Sequence, residues 1–164
     1  MTPLRLSIYM MLAAGCAMAA DDPGGWTAAR WGMTDAQILQ AIPEATRLDP
    51  PEKVNHARVH IEAFDLAGAI FHVYFVPGKD GTLDSVLLSP QQPAEGFVYL
   101  FQHLQELLVQ KYGRPWTSKE GATSELQWSL KITTISLSLA SIPAINLQIL
   151  TLQYRKKSAD LDKM

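Results

Sequence analysis

The chain has 164 residues, of which 48% are hydrophobic and 18% charged, which suits one globular domain with a sizeable core. Its formal net charge is −2, and no part of it has the basic surface that phosphate backbones require, so we expect no nucleic-acid partner. Cys16 is the only cysteine, which excludes an internal disulfide and a cysteine metal site in the mature fold.

The first twenty residues have the pattern of a secretory signal peptide. Arg5 is followed by an apolar run, Leu6 to Ala14, that is too short to span a bilayer as a stable helix. Ala17-Met18-Ala19 then offers the small-x-small pattern after which signal peptidase cleaves. We therefore expect a periplasmic or secreted protein with no transmembrane segment in its mature chain.

Cys16 raises an alternative to ordinary cleavage. Ala14-Gly15-Cys16 resembles the lipobox of bacterial lipoproteins, in which the cysteine is lipidated and becomes the new N-terminus. That motif prefers Leu three residues before the cysteine, and this chain has Ala13 there. Ordinary cleavage fits the sequence better, and a lipid anchor at Cys16 on an envelope membrane is the alternative.

Two helices are predicted from capping and periodicity. Thr34 and Gln37 form a capping box that begins a short helix, which ends before Pro43. A second helix ends at Gly113, a residue suited to a left-handed cap. Its apolar residues follow the i, i+3, i+4, i+7 spacing of a helix that buries one side: Phe97, Leu100, Phe101, Leu104, Leu107 and Leu108.

Alternating residues predict three strands between the helices. Val59 to Ala63 and Phe71 to Phe75 alternate with the same parity, and Leu66-Ala67-Gly68 can join them as a three-residue loop. This register places Ile61 opposite Val73 on the core side, and the next position places Glu62 opposite His72. A third strand is predicted from Leu83 to Leu88.

Three more strands are predicted after the second helix. Leu126 to Leu130 and Ile135 to Leu139 alternate, and a last strand runs from Ile145 to Tyr154. The apolar parity of the last strand changes along its length, so we expect a bulge near Leu150 and Thr151.

Together, these elements predict an α+β fold of two halves, each with one helix and three strands. The strands would form an antiparallel sheet with the helices packed on one face. We expect residues 21–157 to form one domain and residues 158–164 a polar tail.

Two short stretches carry a family resemblance. Residues 31–38 (Trp-Gly-Met-Thr-Asp-Ala-Gln-Ile) resemble the helix start of small envelope proteins similar to the outer-membrane assembly lipoprotein BamE and the β-lactamase inhibitor protein. Residues 111–115 (Lys-Tyr-Gly-Arg-Pro), followed by Trp128, look like a pattern of uncharacterised periplasmic proteins. The resemblance implies a binding or scaffold module without catalytic residues, and a tandem unit whose concave sheet surface suits a protein partner.

One sheet face could carry metal ligands. His56, His60 and Glu62 share strand parity, and the predicted register brings His72 beside Glu62. Imidazole and carboxylate groups are ordinary ligands of zinc, copper and nickel. The competing interpretation, which we favour, is that a half-solvated face simply carries polar side chains. A metal-binding periplasmic protein is therefore the alternative function.

Exposed tryptophans are candidate anchors for a partner. Trp26 and Trp31 lie in and just after a glycine-rich leading segment and could bind a protein, whereas Trp128 alternates with leucines and should be core. The chain has no recognisable catalytic signature. We therefore expect an exported, non-catalytic binding or scaffold protein without a cofactor, whose partner is an envelope protein or an exported enzyme that it inhibits.

Overall fold

The structure is a computed structural model that describes residues 21–158, apart from the side chains of residues 118–120. Its elements in chain order are β1 Gly25–Trp26, β2 Ala29–Arg30, α1 Asp35–Ala41, β3 Thr46–Arg47, β4 Val59–Leu66, β5 Ala69–Pro77, β6 Leu83–Pro90, α2 Phe97–Tyr112, β7 Trp116–Glu120, β8 Thr123–Ser129, β9 Thr133–Ile142 and β10 Leu147–Lys156. The predicted signal peptide, Cys16 and residues 159–164 of the predicted tail lie outside the described residues.

Both helices begin and end where the sequence predicts. Thr34 accepts a hydrogen bond from the Gln37 amide, and the Gln37 side chain accepts one from the Thr34 amide, which completes the capping box of α1. Helix α2 ends at Gly113, whose φ of 81° lies in the region that favours glycine. In the described part of the chain, neither helix is long and apolar enough to span a bilayer.

The prediction of two halves with one helix and three strands each is wrong. The molecule is mostly β, and eight strands form one antiparallel sheet in the order β3-β4-β5-β6-β10-β9-β8-β7, beside a two-stranded β1–β2 sheet. Each helix precedes four strands rather than three, because the short outer strands β3 and β7 lack the alternation by which the others were found. The pairing of β6 with β10 makes the sheet continuous.

The β4–β5 hairpin differs from its predicted form. Its turn has two residues, Ala67 and Gly68, both with positive φ, so Leu66 pairs with Ala69. Continued without interruption, this register would set Glu62 opposite Val73, but an irregularity between Ile61 and Phe64 restores the predicted Ile61–Val73 pair. The expected opposition of Glu62 and His72 is therefore replaced by a bulge.

One face of the sheet holds the hydrophobic core. Every second residue of the central strands points to this side, including Phe71, Val73, Leu88, Leu137 and Leu152, all of them buried. Helix α2 packs against β9 and β10, and α1 lies against β4. The opposite face of the sheet carries none of the described helices.

The first described residues are tied to the turn between β8 and β9. The Asp22 carboxylate accepts hydrogen bonds from the amides of Gly24 (2.9 Å), Ile132 (2.6 Å) and Thr133 (3.0 Å), and from the Thr133 hydroxyl (2.6 Å). Hydrogen bonds to a charged group are the strong ones. The chain therefore enters the domain at a defined point, beside the start of β9.

Candidate docking face

The face of the sheet opposite the helices is the candidate site, and we call it the open face. Register pairs run across all eight strands at one level of this face, so their side chains form a single row. That row consists of Thr46, His60, Tyr74, Leu87, Gln153, Ser136, Gln127 and Trp116. Most of these side chains are half-buried, although no described helix packs over them.

Three aliphatic side chains form an apolar end of the open face, where β9 turns into β10. Leu147 pairs with Ile142, and Ile149 follows two residues later on the same side of β10. Ile142, Leu147 and Ile149 are 41%, 40% and 45% exposed. Leu150 and Leu152, which follow on the other side of β10, face the core and are each 2% exposed. Because these exposed apolar side chains adjoin one another, this end of the open face is a candidate interaction surface.

Our sequence interpretation missed this apolar end. The change of parity in β10 predicted a bulge near Leu150 and Thr151, and that prediction is wrong, because β9 and β10 pair without interruption from Leu147 to Lys156. The parity changes because Leu147 and Ile149 lie on the open face. The signal was present in the sequence, but it marked apolar residues on the uncovered side of a regular strand.

Two histidines and a tyrosine form a hydrogen-bonded cluster on the open face. His60 Nδ1 lies 2.7 Å from His72 Nε2, and the Tyr74 hydroxyl lies 3.0 Å from His72 Nδ1. The rings of His72 and Tyr74 also stack, with centroids 4.1 Å apart. The two histidines can hold one positive charge with these hydrogen bonds intact but not two, because two protonated rings would point N–H groups at each other.

The pKa values of two members of this cluster, His72 and Tyr74, are shifted by their surroundings. Burial lowers the pKa of His72, and the nearby His60 lowers it further, while the carboxylates of Glu62 and Glu52 act in the opposite direction. Burial also raises the pKa of Tyr74, with a smaller contribution from Glu52. Burial therefore favours the uncharged forms of His72 and Tyr74, which present hydrogen-bonding groups and aromatic surface on this part of the open face.

The four predicted metal ligands are not brought together. His60 and His72 share the open face, as the prediction required, but His56 is an exposed loop residue with a φ of 60° that lines a separate surface cavity with Pro51 and Pro77. Glu62 lies in the bulge of β4. Among the described residues, no group of three His, Cys, Asp or Glu side chains could hold an ion. The two facing histidines therefore supply only two of the four ligands that a structural zinc site typically has.

The tryptophans divide differently from the prediction. Trp26, a predicted partner-binding residue, is buried in the core with its ring edge-on to Phe64 and Phe75, at centroid distances of 5.0 and 5.9 Å. Trp31 is partly buried and donates a hydrogen bond to the Thr133 hydroxyl at 3.0 Å. Trp128 is core, as predicted. Trp116, which is 63% exposed, is the tryptophan that stands on the open face.

Small polar side chains occupy the middle of the open face. Thr134, Ser136 and Ser138 follow one another along β9, and Thr151 and Gln153 face them from β10. Their hydroxyl and amide groups can donate and accept hydrogen bonds along the two central strands β9 and β10.

Comparisons of the chain with protein families, curated proteins and solved structures found no match, so the candidate site is defined by this geometry.

Proposed function

We propose that the protein is a non-catalytic binding module that docks another protein on its open face. The observation that carries this proposal is the exposure of Ile142, Leu147 and Ile149 on the side of the sheet that no described helix covers. The apolar end lies beside a surface of hydroxyl and amide groups. This mixed composition resembles that of protein interfaces, in which apolar anchor residues are surrounded by a polar rim.

The other side chains of the open face support a protein as the ligand. Trp116 and Tyr74 supply aromatic area with a polar tip, which is a common feature of interface residues. The row from Thr46 to Trp116 spans the whole sheet, so an occupant that uses all of it must be broad.

A different protein fits the open face better than a second copy of this chain. The face has an apolar end at Leu147 and a basic end at Arg155, at opposite ends of the same strand. A two-fold axis parallel to the strands would set basic end against basic end, and an axis across them would set basic end against apolar end. Neither arrangement is complementary in charge.

The leading residues of the sequence support the location that we propose and, together with the family resemblance, the class of partner. The signal-peptide pattern of residues 1–20 supports export, so the partner would be an envelope protein or an exported enzyme that this module inhibits. The resemblance to BamE-like and β-lactamase-inhibitor-like proteins points to the same class of function and stays a prediction. In this proposal His60 and His72 are contact residues of the docking face.

The test replaces the apolar end and compares binding partners. The double variant Leu147→Arg/Ile149→Arg should fold, because both side chains are exposed, but should lose proteins that wild type captures from envelope extract. Once a captured protein is purified, calorimetry should give a dissociation constant at least about tenfold higher for the variant, the effect expected when an anchor worth ~1.4 kcal/mol is lost.

A matched control separates the open face from general surface charge. Val98→Arg/Val109→Arg places the same two charges at exposed apolar positions on α2, on the helical side of the molecule. The control should bind like wild type. Equal capture and equal affinity for all three proteins would contradict the proposal. A dimer that Leu147→Arg/Ile149→Arg dissolves would instead make the occupant a second copy.

A further inference from the structure

The open face ends in a cleft on the side where β9 begins and β10 ends. Arg155 on β10 pairs with Ser85 of β6 and Thr134 of β9, and Thr134 pairs with Ser129 of β8. This row lies one step beyond the row that contains Gln153. Residues of both rows, together with Asp84, Lys156 and the segment after β10, line a cavity of about 530 Å³, which we call the basic cleft.

The charge of the basic cleft is positive. Among the described residues that line it, Arg155, Lys156 and Lys157 are cations and Asp84 is the one carboxylate. Within the residues that the structure describes, the one ion pair shorter than 4 Å joins Arg58 to Asp35, so no described carboxylate neutralises these three cations at contact distance. An anion that entered the cleft would therefore meet an excess of two positive charges.

The uncharged polar side chains of the cleft can all donate hydrogen bonds. Gln127 and Gln153 bring side-chain amides, and Thr134 and Ser129 bring hydroxyl groups. Arg155 adds a planar guanidinium, whose fork of N–H groups matches the two oxygens of a carboxylate. Donors and positive charge in one recess are complementary to a carboxylate, with room for bridging water.

We propose that the basic cleft binds an aspartate or glutamate side chain of the protein that docks on the open face. This inference rests on the proposed function, because the cleft is continuous with the open face through Gln153 and Thr134. The partner would lay apolar surface on Ile149 and Leu147 and place its acidic side chain about one strand length away, beside Arg155. The two contacts would fix its orientation along β10.

The inference can be tested without knowing the partner. The probes are two blocked peptides, acetyl-Gly-Glu-Gly-amide and acetyl-Gly-Gln-Gly-amide, together with inorganic phosphate, each titrated into the ¹⁵N-labelled mature protein. The glutamate peptide should shift the Arg155 side-chain signal and the amides of Thr134 and Gln153, with an affinity at least about tenfold above that of the glutamine peptide.

Variants localise the effect. Arg155→Gln/Lys157→Gln should abolish the shifts caused by the glutamate peptide, whereas Arg47→Gln/Lys53→Gln, which removes two exposed cations elsewhere, should leave them unchanged. Equal shifts from both peptides would overturn the inference, as would retained binding by the cleft variant. Tighter binding of phosphate than of the glutamate peptide at the same signals would also overturn it, by making the cleft a site for free anions.

The outcome is separable from that of the docking proposal. If the peptides fail while Leu147→Arg/Ile149→Arg still loses its protein partner, the open face remains a docking surface and the cleft is not its acidic subsite. If the glutamate peptide binds in the cleft while the Leu147 and Ile149 variant keeps every partner, the docking proposal fails and the cleft is a separate carboxylate site.

Discussion

Asp22 contributes to the fold through four hydrogen bonds made by one side chain. It joins the first described residues to the amides of Ile132 and Thr133 and to the Thr133 hydroxyl, which also accepts from Trp31. Burial of the carboxyl acts to raise its pKa, but the hydrogen bonds from Thr133, Ile132 and Gly24 outweigh burial, and the pKa lies below its usual value. The ionised form is therefore the one that the fold stabilises.

Replacement of Asp22 should weaken the fold in a pH-dependent way. Asp22→Ala removes hydrogen bonds to a charged group, each of which is typically worth about 1.5 to 3 kcal/mol. Because the Asp22 carboxyl is partly exposed, the total loss of stability should be smaller than the sum of its four hydrogen bonds. Because the folded pKa is depressed, this stability is present above the unfolded value of about 3.9 and is lost as the pH falls through the folded pKa. Urea unfolding at pH 7 and pH 3 measures both effects.

The contrast between the two pH values provides the internal control. Wild type and Asp22→Ala should differ clearly in unfolding free energy at pH 7 and less at pH 3, which lies below the unfolded pKa, so that part of the contribution of the ionised carboxyl is lost. A difference that is the same at both pH values would mean that the charge of Asp22 contributes nothing, and that only its shape or neutral hydrogen bonds matter.

At the scale of single elements, the helices were predictable because their signals are local. The capping box of α1 involves residues three apart, and α2 combines a 3.6-residue period with a glycine at its end. The strands were less predictable from the sequence. The alternation in β4 and β5 is a local signal and predicted both strands. The turn between them is one residue shorter than expected, and a bulge of one extra residue between Ile61 and Phe64 compensates for it.

Helix α2 offers a paired test of which of its leucines support the core. Leu104 is 2% exposed and Leu107 is 39% exposed, one turn further on. Leu104→Ala should lower the free energy of unfolding by about 2 to 5 kcal/mol through lost burial and a residual cavity. Leu107→Ala removes the same atoms from a half-exposed site, so it should cost much less.

Chemical denaturation of both variants gives the two values under the same conditions. Equal losses for Leu104→Ala and Leu107→Ala would mean that α2 is rotated about its axis relative to the sheet. Periodicity alone placed both residues on the buried stripe, and only the position of α2 over β9 and β10 distinguishes them.

At the scale of the whole molecule, strand order was beyond the reach of the sequence patterns. Alternation identifies a strand but carries no information about its neighbour, and β6 and β10 are joined by pairs such as Leu88–Leu152, more than sixty residues apart. The outer strands were missed because β3 has only two residues and β7, Trp116–Glu120, has no alternation of apolar and polar residues. The open face could not be identified before the sheet was assembled.

The central position of β10 predicts strong dependence on the C-terminal strand. A chain that ends at Ala144 loses the partner of both β6 and β9 and divides the core, so it should show no cooperative thermal transition and weak near-ultraviolet circular dichroism. A chain that ends at Ser158 keeps β10 and is the matched control. Cooperative unfolding of the shorter chain would mean that one half folds alone.

The position of β10 also bears on the timing of folding. The strand in the middle of the sheet, β10, is the last of the described strands to be synthesised, so the two sides of the sheet can join only after it has been made. Until then β6 and β9 each have an unpaired edge able to pair with other chains. For the exported protein that we propose, this order would keep the two sides of the sheet from joining until β10 has been synthesised, so the chain would reach the export machinery without its complete sheet.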